Sequence, residues 1–194
     1  AASDVYKRQS LNISGTAAVR DKKGTGVAVI GGEAVVQSGK IYGNQNAGIV
    51  NKGSAKIIGG EIYSNSSTGS GGGIVNSGTL NVSGGSIHHN SAANGGGITS
   101  SGTLTMTGGS LTDNRASGNG GGICLSGGNF NLTGGAIAKN TAKNGNGVYH
   151  NGTTFQLGGN GAVDSENDVY LQTNKYITVS SALKASPAAV LTPS

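Results

Sequence analysis

Three of the eight acidic residues in this chain, Asp164, Glu166 and Asp168, fall within five positions near its carboxyl end. Side chains at alternate positions of an extended strand share one face, and carboxylate oxygens are the ligands that calcium takes. Calcium at these three residues is therefore the one candidate cofactor. The segment lacks the glycine and the distal glutamate of a calcium-binding loop. The alternative interpretation is a solvated coil at the end of the molecule.

A second candidate site is aromatic. Tyr42, Tyr63 and His88 recur at intervals of 21 and 25 residues. If these side chains point outward, they form a ridge that stacks on sugar rings and are the candidate ligand-binding residues. The alternative is an aromatic ladder that stabilises the fold by about 0.5–1.5 kcal/mol per pair. His89 and Asp113 are spaced similarly, but a catalytic histidine needs a nucleophile within reach, and the sequence places none there.

Asparagines form the most regular polar column. They recur at intervals of 21 to 26 residues: Asn44, Asn65, Asn90, Asn114 and Asn140. Asparagine tolerates left-handed backbone geometry at turns, and stacked side-chain amides hydrogen-bond to one another along a ladder. We therefore interpret this column as a structural ladder rather than as a ligand site.

An internal repeat of about two dozen residues positions all of these side chains. The pattern of residues 72–90 returns in residues 96–114. One hydrophobic position recurs every 24 or 25 residues, at Ile49, Ile74, Ile98, Ile123 and Val148. Within each repeat, short runs of alternating apolar and polar residues end at a glycine pair, which is the pattern of β-strands.

Three short strands per repeat and no helix predict an all-β fold. The unit length favours a right-handed, single-stranded parallel β-helix, or solenoid, of about 7–8 coils of 21–26 residues. We expect one β-helix domain over residues 10–194, with irregular end caps at about 16–26 and 180–194. Residues 1–9 are expected to be a non-native or disordered leader, because residues 3–9 resemble translated sequencing-adapter sequence.

Composition excludes several classes of protein. The 38 glycines do not recur at every third residue, so collagen is excluded, and so many glycines would destabilise a helical bundle. The net charge of +5 is spread along the chain, so we expect no nucleic-acid partner. No run of ten apolar residues occurs, so we predict no membrane span.

The repeated Gly-Gly-Ile of residues 72–74 and 121–123 and the Ile/Leu-x-x-Asn of residues 87–90 and 111–114 resemble known repeats. They are similar to those of polymorphic-outer-membrane-type adhesins, and more closely to the adhesin-like β-helix proteins of gut bacteria. The resemblance covers about residues 26–194. It implies an extracellular or bacterial cell-surface location. The adhesin family's Phe is replaced here by Ile or Leu.

These observations predict a non-catalytic, adhesin-like segment that binds glycans or host surface proteins weakly and multivalently. Rods of this kind are also candidates for end-to-end or side-by-side self-association. The alternative is a carbohydrate-active β-helix, a polysaccharide lyase or glycosidase, which needs paired carboxylates. A third hypothesis is an ice-binding solenoid, because Thr103, Thr105 and Thr107 alternate along one strand.

Overall fold

The protein is a parallel β-solenoid of about eight coils. The computed structural model describes the backbone of residues 4–6 and 9–194 and the side chains of residues 10–194. The described residues form strands, turns and loops, with no helix. None of them therefore forms a helix long and apolar enough to cross a membrane.

Each coil contributes strands to two parallel sheets. The first strands form a nine-stranded sheet: β1 (Asp4–Tyr6), β4 (Val27–Val29), β7 (Ile49–Asn51), β10 (Ile74–Asn76), β14 (Ile98–Ser100), β17 (Ile123–Leu125), β19 (Val148–His150), β22 (Asp168–Leu171) and β24 (Val190–Pro193). The second strands form one side of a larger sheet: β2 (Gln9–Ile13), β5 (Gly32–Val36), β8 (Ser54–Ile57), β11 (Thr79–Val82), β15 (Thr103–Thr112), β18 (Asn129–Ala138), β20 (Thr154–Gly159) and β23 (Thr178–Leu183). The third strands form its other side: β3 (Ala18–Arg20), β6 (Lys40–Tyr42), β9 (Glu61–Tyr63), β12 (Ser86–His88) and β21 (Ala162–Val163). Two short strands form a separate parallel pair: β13 (Ser91–Ala92) and β16 (Arg115–Ala116).

The predicted repeat sets the register of the stack. The recurring hydrophobic position pairs in sequence order from coil to coil, Ile49 with Ile74, then Ile98, Ile123 and Val148. In β11, Leu80 and Val82 are buried on either side of the half-buried Asn81. Equivalent aliphatic side chains therefore lie on top of one another and form a thin, continuous core.

Glycine allows neighbouring coils to approach closely where the first strand turns into the second. A Cβ at Gly102 would overlap the carbonyl oxygen of Gly78 in the preceding coil. At Gly127, by contrast, the nearest atoms lie 3.6–3.7 Å from such a Cβ, which is ordinary contact. These two glycines thus have different steric roles.

The second and third strands of two coils merge, which the repeat does not predict. β15 and β18 are each ten residues long and run through the glycine pairs at Gly108 and Gly134. The strands separate in the preceding coil, where β11 ends at Val82 and β12 begins at Ser86.

The segments predicted as irregular end caps contain ladder strands. β3, inside residues 16–26, pairs with β6, and β24, inside residues 180–194, pairs with β22. The predicted leader, residues 1–9, lies largely outside the described residues. Within it, the described backbone of β1 pairs in parallel with β4.

Candidate functional site

The asparagine column forms a continuous, buried hydrogen-bonded ladder. The Nδ2 of Asn44 donates to the Oδ1 of Asn65 at 2.7 Å, and the same bond recurs at 3.0 Å from Asn65 to Asn90. It continues at 3.0 Å through Asn114 and Asn140 and reaches Asn167. From Asn44 onward, each Oδ1 also accepts a backbone N–H from the preceding coil. Because these amides are used internally, they are not free for a ligand.

The left-handed turn residue is the one before each asparagine, and not the asparagine itself as expected. Ser64, His89, Asp113 and Lys139 have φ values of 52° to 55°. Their side chains stand in one column at the corner of the coil. The asparagine adopts ordinary geometry and turns its amide inward, where the hydrogen bonds of the ladder are made.

Sequence reasoning missed a second amide ladder at the end of the first strand. The buried Asn51 donates to the Oδ1 of Asn76 at 2.8 Å, and Asn76 donates to the Oγ of Ser100 at 3.0 Å. Asn51 and Asn76 also donate to backbone carbonyls of the next coil, those of Thr79 and Thr103. The signal was present, because Asn51 and Asn76 both stand two residues after the recurring isoleucine.

Tyr42, Tyr63 and His88 lie side by side on the outer face of the third strands. The ring centroids of Tyr42 and Tyr63 are 4.8 Å apart at 8°, and those of Tyr63 and His88 are 5.1 Å apart at 1°. Both faces of the Tyr63 ring are therefore covered, as is one face each of the Tyr42 and His88 rings. A sugar that stacks on a ring face needs that face free, so this arrangement favours the aromatic ladder over a stacking platform.

An ion pair flanks the aromatic ladder. Lys40 Nζ lies 2.8 Å from a carboxylate oxygen of Glu61 and 5.9 Å from the centroid of Tyr63. The hydrogen bond from Lys40 lowers the pKa of Glu61, and the same bond raises the pKa of Lys40. Both groups are largely exposed, so the pair adds little to stability.

Asp164, Glu166 and Asp168 do not share one extended strand. Residues 164–167 form a turn closed by a 2.8 Å hydrogen bond from Asn167 N–H to the Asp164 carbonyl. The Asp164 carboxylate accepts the Glu166 N–H at 3.0 Å, and the Asp168 carboxylate accepts the Asn146 N–H at 2.7 Å. No group of three or more His, Cys, Asp or Glu side chains in the described part of the chain is arranged to hold a metal ion. The expected alternation fails because residues 164–167 form a turn and not an extended strand.

Two buried side chains, Cys124 and His150, are of the types that act as a nucleophile and as a base. Burial raises the pKa of the Cys124 thiol to about 11, so the thiolate that reacts as a nucleophile is scarce at neutral pH. Burial lowers the pKa of His150, whose Nδ1 accepts the Gly152 N–H at 3.3 Å. Both side chains belong to first strands and help to fill the coil.

The hydroxyl-rich face of the second strands is in the predicted register but is irregular. Thr103 pairs with Thr79 and Asn129, and Thr105 pairs with Asn81 and Asn131. Two coils earlier than Thr105, the same column holds Lys56, whose Nζ is 2.8 Å from Glu33. An ion pair interrupts the flat array of hydroxyls that an ice-binding face would need.

Four consecutive long loops project beside the asparagine ladder. They join that ladder to the next first strand and comprise residues 66–73, 91–97, 115–122 and 141–147. We call this surface the loop shelf. The loop before it, residues 45–48, is shorter, and after it Asn167 is followed directly by β22. β13 pairs with β16, and parallel bridges join the other loops, so the shelf is an ordered surface.

A groove follows the loop shelf. It consists of two adjoining depressions of about 360 and 380 Å³ that share Arg115 and Ser117. Alanines and hydroxyl side chains line most of the rest: Ser67, Thr68, Ser91, Ala92, Ala93, Ala116, Thr141 and Ala142. Lys143 lies at one end. No carboxylate lines either depression.

The cations of the groove lack acidic partners. Within residues 10–194, the ion pairs use Arg20, Lys40 and Lys56. Arg115 and Lys143 therefore present uncompensated positive charge beside hydroxyl groups. Sequence reasoning did not identify this surface, although the longer spacing between the recurring asparagine and the next first strand in these four coils was a signal for it.

Comparison of the chain with protein-family models, with curated proteins and with solved structures gave no match.

Proposed function

We propose that this chain is a non-catalytic, adhesin-like solenoid segment of a secreted or surface-anchored bacterial protein. In this proposal it binds glycans weakly and multivalently, and the loop shelf is the surface that binds them. The bacterial surface setting rests on the resemblance of the repeats to adhesin-like β-helices.

The groove around Arg115 carries the proposal. A guanidinium group makes paired hydrogen bonds with a carboxylate, and hydroxyl side chains exchange hydrogen bonds with sugar hydroxyls. Alanines leave room for the apolar faces of sugar rings between these polar groups. This combination favours a glycan chain that carries carboxylate groups.

Weak binding at each groove suits a repeated surface protein. The groove is shallow and open to solvent, so it buries little of any ligand, and its charges are screened by salt. Many copies presented on one cell would multiply a modest affinity through effective concentration. The amide ladders and the aliphatic core hold the loops in register, which keeps the groove preformed.

The test uses the chain multimerised on beads with polygalacturonate, dextran sulfate and neutral dextran. We expect retention of polygalacturonate that weakens as salt is raised and little retention of dextran. The double variant Arg115→Gln/Lys143→Gln should lose about tenfold or more of this binding. The matched control is Lys52→Gln/Lys184→Gln, which removes the same charge from exposed positions outside the groove.

Three results would contradict the proposal. Equal loss in both double variants would mean that net charge, and not the groove, retains the sugar. Release of shortened sugar would indicate a carbohydrate-active enzyme instead, and Asp164, Glu166 and Asp168 would then be changed to Ala and tested for loss of turnover. No retention of any polymer at high valency would leave the segment as a spacer.

A further inference from the structure

Two adjacent histidines bring their ring nitrogens together at the corner of one coil. The Nδ1 atoms of His88 and His89 are 2.9 Å apart, and their ring planes cross at 86°. One residue ends β12, and the other occupies the left-handed turn position with φ 53°. The fold, and not a helix or a flexible tail, therefore holds this pair together.

The separation of the two nitrogens matches the distance between two imidazole nitrogens that bind one metal ion. Bonds from imidazole nitrogen to a divalent transition metal are about 2.0–2.1 Å long. Two such bonds at a right angle place the nitrogens about 2.9 Å apart, whereas the tetrahedral angle places them about 3.3 Å apart. We propose that His88 and His89 form a two-histidine site for a divalent transition metal ion that prefers right-angle coordination, as copper(II) and nickel(II) do.

The surroundings hold one imidazole in place and leave both accessible. The ring of His88 stacks on Tyr63 at 5.1 Å, so the aromatic ladder fixes its orientation. His88 is half-buried and His89 is exposed. In the described part of the chain, the only hydrogen-bond partner of each Nδ1 is the other. A small rotation of the exposed His89 side chain can therefore bring its lone pair towards an ion bound by His88.

Nearby charges also suit a cation. The carboxylates of Glu61 and Asp113 act electrostatically on His88, and so does Lys40, which is paired with Glu61. Asp113 also stands one coil beyond His89 in the left-handed column.

The site would be open rather than closed. The residues that the structure describes contain no third histidine, cysteine or carboxylate in ligating position. The remaining coordination positions therefore face solvent and take water or a further ligand. The proposal is independent of glycan binding, because the aromatic ladder and the loop shelf are different surfaces.

The experiment titrates the full chain with copper(II) chloride and with nickel(II) chloride in a non-chelating buffer at neutral pH. We expect one saturable equivalent per chain. In ¹⁵N-histidine spectra, paramagnetic copper(II) should broaden the His88 and His89 signals and spare those of buried His150. Binding should weaken as the pH falls, because protons compete for the imidazole nitrogens.

Two variants preserve the fold while removing one ligand each. His88→Tyr keeps a stacked ring, as Tyr42 and Tyr63 do in the preceding coils, and His89→Asn tolerates the left-handed backbone. Each should weaken binding at least about tenfold. The matched control is Lys139→Asn, which changes the same column two coils away and should bind as the parent does.

Two results would overturn the site. The first is unchanged binding in His88→Tyr/His89→Asn, since the ion would then sit elsewhere on the chain. The second is no saturable binding by the parent chain up to about 1 mM ion. In that case the contact is only a hydrogen bond between two imidazoles. Loss of metal binding with intact sugar retention separates this test from that of the proposed function.

Discussion

At the scale of single residues, the buried amides of the asparagine ladder organise the corner of each coil. Asn114 donates to the Asn140 Oδ1 at 3.0 Å and to the Ile87 carbonyl at 2.9 Å. Its own Oδ1 accepts from the backbone and the side chain of Asn90. A polar group buried without such partners would cost about 1–3 kcal/mol. The ladder therefore stabilises the fold because each side-chain amide supplies a hydrogen-bond donor to the Oδ1 of the next asparagine.

Replacement of one rung tests this interpretation. Asn114→Ala removes the acceptor of the Asn90 backbone N–H and one hydrogen bond each from the Asn90 amide, the Asn140 Oδ1 and the Ile87 carbonyl. We therefore expect a loss of about 2–3 kcal/mol in the free energy of unfolding. Chemical denaturation followed by circular dichroism measures the loss. The control is Asn160→Ala at an exposed asparagine. Equal effects of the two substitutions would show that the ladder has no special role.

At the scale of elements, the turns between strands decide how closely two coils approach. Strand residues stack at the ordinary spacing of parallel strands, about 4.8 Å. The turn after the first strand packs backbone on backbone, and Gly102 lies directly against Gly78 of the preceding coil. The neighbouring turn keeps a second glycine, Gly127, with room around its α-carbon.

This difference predicts opposite outcomes for two similar substitutions. Gly102→Ala forces the two coils apart, because the obstacle is backbone, and should cost roughly 1–3 kcal/mol or more. Gly127→Ala meets only ordinary contacts and has no positive φ, so it should leave stability within about 0.5 kcal/mol. The midpoint of denaturant unfolding compares them. A tolerated Gly102→Ala would mean that the coils are less tightly packed than described.

At the scale of the whole molecule, stability depends on contacts between adjacent coils. Central strands such as β10 have neighbours on both sides, β7 and β14. Among the strands that the structure describes, β23 pairs with β20 alone, and all six of its residues are exposed. Val179 and Leu191 of this last coil are 59% and 51% exposed, beside a cleft of about 250 Å³. The described core is therefore weakest at its carboxyl end.

Hydrogen exchange should reveal this gradient along the rod. We expect amides of β23 to exchange through local opening and those of β10 and β11 only through larger unfolding. Native-state exchange followed by mass spectrometry compares peptides that cover these strands. Uniform protection from β11 to β23 would contradict a stability that depends on contacts between adjacent coils. It would indicate that the rod unfolds as a single cooperative unit.

Much of the fold could be predicted because its causes are local or strictly periodic. Alternation at Leu80 and Val82 and the glycine pairs mark the strands, and the 24- to 25-residue interval aligns them. The order of the columns follows from the same interval, so Tyr42, Tyr63 and His88 were correctly placed next to one another. The asparagine ladder followed from the same argument, although its left-handed residue was misplaced by one position.

The sequence by itself determined the repeat, the all-β class and the columns, because these depend on side-chain periodicity along one coil. Only the tertiary structure decided which surfaces are free. Whether Arg115 lacks a carboxylate, whether aromatic rings cover one another, and whether His88 and His89 meet at 2.9 Å depend on side-chain directions and on the neighbouring coils. The acidic segment shows the same limit, since a turn at residues 164–167 replaced the expected strand. Contacts between residues some two dozen positions apart are absent from any local pattern, and they form only when the coils stack.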